Sequence, residues 1–274
     1  MFCIKNGMIH DAIHPEAYQA DILVDGGKIA AIGNDLNVPE GTEMVDVSGL
    51  SVYPGFVEAH GHIGLDGYGI GYEGQDYNEM GDILSPQLRG IDGIKPGDFA
   101  FKEAAAAGVT CVCVGPGSAN VLGGTFTSIK TAGNRVDDMV VKKETAMKCA
   151  FGENPKRIYR DKGNSSRMST AAKLREMLFK AKEYNERILA AGDDVTKRPP
   201  FDMKLNALLP VIRREIPLKA HAHQLDDMFT AIRIAKEFNV KLTLEHCTEG
   251  HLAAEQLAAE HIPMAVGPTF NNAT

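Results

Sequence analysis

Five of the nine histidines in this 274-residue sequence stand where they could hold a metal ion. His60 and His62 close the run GFVEAHGH, His221 and His223 close PLKAHAH, and His246 closes KLTLEH. A strand repeats its side-chain direction every two residues, so each H-x-H pair projects both imidazoles from one face. Imidazoles converging from neighbouring strands make the nitrogen-rich cage that Zn²⁺ or a similar divalent ion prefers. One buried histidine alone is most often a core residue hydrogen-bonded to a neighbour. Two H-x-H pairs and a further strand-end histidine shift the balance to ligation. His10, His14, His251 and His261 fall in the N-terminal segment or on helical patterns, and read as structural or exposed.

The elements that must position these side chains are legible in the rhythm of the chain. After Pro54, short apolar strands alternate with helical stretches. Strands are expected at 55–62, 109–115, 125–131, 146–153, 217–223, 241–246 and 263–268. Helical spacing marks 99–107, 169–191, 203–214, 228–238 (with Asp226 and Asp227 as capping candidates) and 251–260. Strands apolar on both faces, each followed by a helix, predict a parallel sheet covered by helices. Seven such units predict an α/β fold, a (β/α)₈ TIM-type barrel with its eighth unit missing. The histidine-bearing strand ends would lie at its catalytic face.

Residues 1–53 read differently, as short alternating segments broken by Gly, Asp and Asn. ILV-DGG-KIAAIG carries a hairpin signal, because Asp-Gly-Gly supplies the positive φ of a tight turn. Two domains are therefore expected: a small β module over 1–53, and the barrel over 54–274. The glycine- and acid-rich stretch 64–94 follows the first barrel strand. A loop of that length is expected to be functional or mobile, and to sit at the catalytic face. Residues 193–202 read as a polar connector.

Composition narrows the classes. With 44% hydrophobic and 24% charged residues a sizeable core can be buried. A net charge of −7 and a pI near 5.7 leave no basic footprint for nucleic acid or an anionic membrane. The longest weakly polar run, 104–117, is interrupted by glycines and a proline and falls short of the roughly 18 residues of a membrane helix. The N-terminus shows no apolar secretory core, so a cytoplasmic location is the default expectation. Cys3, Cys111, Cys113, Cys149 and Cys247 form no C-x-x-C pair and read as reduced residues. The expected partner is a small molecule, with self-association left open.

The segment YPGFVEAHGH (53–62) resembles the PGxxDxHxH signature of the amidohydrolase superfamily, with Glu58 in the usual Asp position. The preceding hairpin resembles the first half of the β-sandwich that accompanies those barrels. HAHQLDDMFTAIRIAKEF and LTLEHCTEG are similar to the imidazolonepropionase-like branch. The resemblance runs along essentially the whole chain. It implies that His60 and His62 are metal ligands of the first strand, His221 of the fifth and His246 of the sixth. His223 is then a substrate-binding residue or an alternative ligand. One or two divalent ions are implied, zinc foremost, although Fe, Co, Ni or Mn also suit such a site.

The bridging position, a carboxylated lysine in some members and a glutamate in others, falls on Glu153 or Lys148. With the strand taken to end at Glu153, Lys148 would begin roughly 16 Å below the ligands at about 3.3 Å per residue, which favours Glu153. The turn GPGSAN (115–120) offers Asn120 as a substrate contact, equally well explained as a plain turn. Arg157, with Asn154, Lys156 and Arg167, could meet a substrate carboxylate.

The implied reaction is attack of a metal-activated water on an amide or cyclic amide. Its acid–base residue, an Asp of the eighth strand, is expected beyond Thr274. About a hundred residues are expected to be missing relative to a complete member, so that these 274 residues alone would hydrolyse amides poorly. Two alternatives stay open: a deaminase of the same superfamily, and a catalytically incomplete metal-binding or scaffold protein.

Overall fold

The computed structural model describes residues 1–268. The chain divides into two compact units, Met1–Phe56 and Val57–Thr274. The first is a sheet of β1 (Phe2–Ile9), β2 (Tyr18–Asp25), β3 (Lys28–Gly33), β4 (Glu43–Asp46) and β5 (Ser51–Val52). Its order is β3-β2-β1-β4, with β5 also paired to β1. Gly26 and Gly27, at φ of 55° and 75°, turn β2 into β3 where the Asp-Gly-Gly signal requires positive φ. Ile9, Ala20 and Ile22 form the unit's small core.

The second unit is a mixed α/β fold around one seven-stranded sheet. Its strands, in spatial order, are β6 (Phe56–Gly61), β7 (Val109–Val114), β8 (Leu122–Lys130), β9 (Val140–Ala150), β10 (Leu218–Ala222), β11 (Leu242–His246) and β12 (Met264–Val266). The helices are α1 (Phe99–Ala106), α2 (Val136–Met139), α3 (Glu153–Ile158), α4 (Arg167–Ala191), α5 (Met203–Ile212), α6 (Leu225–Phe238) and α7 (Ala254–Ala259). The sheet is curled almost closed: β6 begins it and β11 is next to its far edge, yet His60 and His246 lie 5.1 Å apart, centroid to centroid. The loop expected after β12, 269–274, lies outside the described residues.

One expected unit is not a β/α unit. β8 runs antiparallel to both β7 and β9. The reason is connector length. Parallel neighbours need a crossover of a dozen or more residues, whereas only 115–121 separate β7 from β8, and 131–139 separate β8 from β9. The β9–β10–β11–β12 stretch is parallel as expected.

The long helix α4 starts at a capping box formed by Ser166 and Ser169 and buries Leu174, Leu178 and Ala181. Those side chains pack in one core with Met228, Ala231, Ile232 and Ala235 of α6 and with the outward faces of β9, β10 and β11. α6 begins earlier than its spacing suggests. Gln224 is its N-cap, and Asp226 and Asp227 lie in the first turn, where the helix dipole favours negative charge.

Residues 64–94 are strapped down. Ser85 donates its backbone N–H to Leu122 O at 2.8 Å, and Leu88 O accepts from Thr125 N at 2.9 Å, so this segment lies along β8. Leu65 and Ile94 bury their side chains with Phe101 and Val112. All five cysteines are free thiols. Among the described residues no helix is long and apolar enough to cross a membrane.

At the β7 exit, Gly115 admits the ring of Phe126 so closely that a Cβ there would stand 2.4 Å from it. Phe126 is fully buried. Gly115→Ala is therefore expected to destabilise the chain by about 1–3 kcal/mol through overpacking. The urea midpoint of the variant against the parent checks this.

Candidate metal centre

Strand register sets the levels of the interior. Lys148 of β9, Lys219 of β10 and Thr243 of β11 lie abreast, and Ala150, His221 and Glu245 lie abreast two residues further along. The first level holds two cationic side chains and the second a carboxylate and an imidazole. All four are buried: Lys148 0%, Lys219 6%, His221 4% and Glu245 1% exposed. Charged side chains at such depth are rare unless paired.

His246 pairs in register with Ala222, whose side chain lies in the outer core with Leu218 and Ala220. A regular strand would therefore turn His246 away from His221. Positive φ at His246 (75°) and Cys247 (48°) breaks the alternation at the strand end. The imidazole stands beside the others, 4.6 Å from His221 and 4.9 Å from His223 between centroids. His60 and His62 are 5.2 Å apart. The nitrogens that could ligate an ion from His221, His223 and His246 lie within 4.8 Å of one another.

The outer nitrogen of each ring has a polar neighbour. His62 Nδ1 donates to Gly115 O at 2.7 Å, and His246 Nδ1 donates to Gly267 O at 2.8 Å. His60 Nδ1 is 3.0 Å from Glu245 Oε2, a charge-pair contact off the ideal hydrogen-bond angle, and neither atom has another partner among the described residues. His221 Nδ1 meets Ser118 Oγ at 2.8 Å, and His223 Nδ1 meets Thr248 Oγ1 at 2.7 Å. A carbonyl can only accept, so His62 and His246 carry their proton on Nδ1 and keep Nε2 as a free lone pair. Metal-binding histidines use this arrangement, with the second nitrogen fixed by a carbonyl or carboxylate.

Electrostatics act in the same direction. Burial, reinforced by the charge of Lys148, lowers His62 to about 4, and burial lowers His246 to about 4. Burial lowers His60 to about 3 against the opposing pull of Glu245, and it also depresses His221 and His223. The imidazoles are thus neutral at pH 7, the form that ligates metal. Lys148 Nζ lies 3.4 Å from His60 Nε2, and burial lowers this amine to about 7 although Glu245 opposes the shift.

Several expected site residues are placed elsewhere. Glu153 begins α3 after Gly152 (φ 76°), its side chain is 58% exposed, and it pairs with Arg167 at 2.8 Å. β9 ends at Ala150, so Lys148 sits two residues from the strand's mouth and not some 16 Å below it. The strand stops three residues before Glu153, which removes that offset.

Asn120 is fully buried, and its amide donates to Glu79 O, Asp82 O and Tyr159 Oη. It clamps the 64–94 segment and has no free donor for a substrate. Arg157 is exposed on α3. Arg167 is committed to Asp227, Glu153 and Gln224.

Three neighbours of the histidines were not foreseen. Tyr77 stands 5.7 Å from His62 between ring centroids. Phe126 lies 5.3 Å from His60, with Lys148 and Lys219 Nζ at 5.6 Å and 5.5 Å from its ring centre. Glu245 pairs with Lys219 at 2.8 Å. Lys219 and Glu245 did carry a signal, since each is a charge inside an otherwise apolar strand, in step with the inward-facing positions.

Over its whole length the chain superposes on the crystal structure of an amidohydrolase from Thermotoga maritima MSB8. The TM-score is 0.93 and the identity 39%, over 100% of this chain and 72% of that one. The chain belongs to the amidohydrolase superfamily. No family model matches this amidohydrolase chain. It is 28% identical over 262 residues to amidohydrolase tasK of Hapsidospora irregularis, which covers 86% of this chain and 27% of tasK. It is also 50% identical over 72 residues to an Escherichia coli allantoinase, covering 26% of this chain and 15% of that protein. The chain thus spans well under two thirds of these curated relatives.

Replacing Asn120 by Ala removes this buried donor from the carbonyls of Glu79 and Asp82 and from Tyr159 Oη. A loss of about 1–3 kcal/mol is expected, together with faster protease cleavage within 64–94. Limited proteolysis with mass mapping of the cut sites checks it.

Proposed function

We propose that this amidohydrolase chain carries the metal centre of a hydrolase of C–N bonds in small molecules, linear or cyclic amides. The observation that carries the reading is the cluster of neutral imidazoles, with the Nδ1 atoms of His62 and His246 engaged by main-chain carbonyls and His60 Nε2 lying 3.4 Å from the buried amine of Lys148. His60, His62 and His246, with His221 or His223, would hold the ion, and the donor set suits zinc among other divalent metals. When bound, such an ion lowers the pKa of water to roughly 7 and polarises a carbonyl.

The chain's own residues prepare that chemistry. Burial keeps the histidines unprotonated, so no proton must leave before ligation. Lys148, and not the exposed Glu153, would be the further residue beside the ion. Its amine, lowered to about 7, has a substantial neutral fraction at physiological pH. In that form it could add CO₂ at Nζ, releasing a proton and giving a carbamate whose oxygens would be ligands. Tyr77 and Phe126 supply apolar walls beside His62 and His60. The barrel reading is of the (β/α)₈ type, with β8 as its antiparallel member. The names of the relatives, an allantoinase and two amidohydrolases, agree with an amide or cyclic ureide as substrate.

The test is metal content per chain, followed by hydrolysis of hydantoins, allantoin, N-acyl amino acids and dipeptides by the zinc-loaded protein. At least one bound ion per chain is expected, with carboxylate formed from one substrate class. Lys148→Met is expected to lower metal content and activity by at least about tenfold, as loss of a metal-site residue does. Glu153→Gln is expected to leave both unchanged. A chain that binds no ion, or one that depends on Glu153 and not on Lys148, contradicts the reading. Ammonia release without ring or amide opening would place it with the deaminases.

A further inference from the structure

Glu245 has a divided carboxylate. Its Oε1 accepts from Lys219 Nζ at 2.8 Å and from Thr243 Oγ1 at 2.7 Å. Its Oε2 faces His60 Nδ1 at 3.0 Å. The side chain is 1% exposed, and those of Lys219 and His60 are 7% and 9% exposed. An ionised carboxylate this deep is costly unless a cation and hydrogen bonds compensate, and Lys219 supplies the cation.

A structural counter-ion for Lys219 would need only the Oε1 side of the group. The other oxygen is directed at a histidine of the metal centre, on a strand from the opposite end of the sheet. His62 and His246 use main-chain carbonyls for the same purpose. His60 has a side chain in that place, and the side chain is held by a second one.

We propose that Lys219 and Glu245 form a buried positioning pair that fixes His60 in its Nδ1–H tautomer and so leaves its Nε2 lone pair for the metal ion. Glu245 touches neither substrate nor reacting atoms; it acts through His60, and Lys219 acts through Glu245. Thr243 adds a neutral donor to the same oxygen as Lys219 and limits the carboxylate's rotation. The metal half of the statement rests on the function proposed above, whereas the tautomer half can be read without any metal.

The test is ¹⁵N–¹H NMR of the histidine rings in the metal-free chain, followed by titration with cobalt(II). In the parent protein His60 is expected to carry its proton on Nδ1. The double variant Lys219→Met/Glu245→Leu removes the pair without leaving a lone buried charge, a change often neutral for stability. In it, His60 is expected to populate both tautomers. His62 and His246, held by Gly115 and Gly267, keep theirs and report that the fold is intact. Cobalt affinity is expected to fall about 10–100-fold, as losses of such outer partners do.

The variant Lys219→Met/Glu245→Gln, whose amide oxygen is free to accept from His60, is expected to restore the single tautomer and most of the affinity. His60 protonated on Nε2 in the parent protein overturns the proposal before any variant is made. A double leucine variant with unaltered His60 tautomer and cobalt affinity also overturns it. If the tautomers behave as stated but the parent protein takes up no cobalt, the metal reading fails and the positioning pair stands.

Discussion

His60 and Glu245 meet at 3.0 Å although their strands, β6 and β11, belong to opposite ends of a seven-stranded sheet. That approach requires the sheet to curl until its first strand faces its last ones across the interior. It also fixes how each strand sits. If β11 slipped by one residue, Glu245 would turn into the outer apolar layer and Leu244 would face the interior, leaving Lys219 without its anion. The buried charges therefore do more than fill space: they define the one register in which the histidines converge.

Above that charged layer the imidazoles are prepared by two means. Main-chain carbonyls and hydroxyls orient them through Nδ1, and burial keeps them neutral. The main chain contributes directly. Positive φ at His246 and Cys247 brings His246 to the site from a register position that would otherwise place it on the helix-covered side. Gly115 serves twice, since its carbonyl orients His62 and its missing Cβ admits Phe126.

Much of this was legible before any coordinates. The histidine-bearing runs became the strand ends of β6, β10 and β11, because alternation and apolar composition are local properties. The helices α1, α4, α5, α6 and α7 follow from their spacing for the same reason, whereas the short α2 and α3 do not. The direction of β8 is less visible: its composition resembles that of the parallel strands β10 and β11, and only the brevity of the flanking connectors marks it as antiparallel. The level of Lys148 is misleading in the sequence because the run AMKCAFGE looks like one strand, whereas the strand ends at Ala150 and Gly152 at positive φ starts α3. Asn120 lies in a turn that faces the right way, but its amide is taken by carbonyls some forty residues earlier in sequence. No pattern of spacing reports such a pairing. The pairing of Glu245 with Lys219 and His60 joins three separate strands, and no local pattern in any one of them reports it.

The central claim is that these histidines and Lys148 form one nitrogen-rich site for a divalent ion. X-ray absorption at the zinc edge of the loaded chain tests it most directly. A first shell of nitrogen and oxygen at about 2.0–2.1 Å with imidazole scattering beyond it is predicted, losing imidazole amplitude in His246→Asn. A shell dominated by sulfur at about 2.3 Å, or one unaffected by that substitution, would contradict the account.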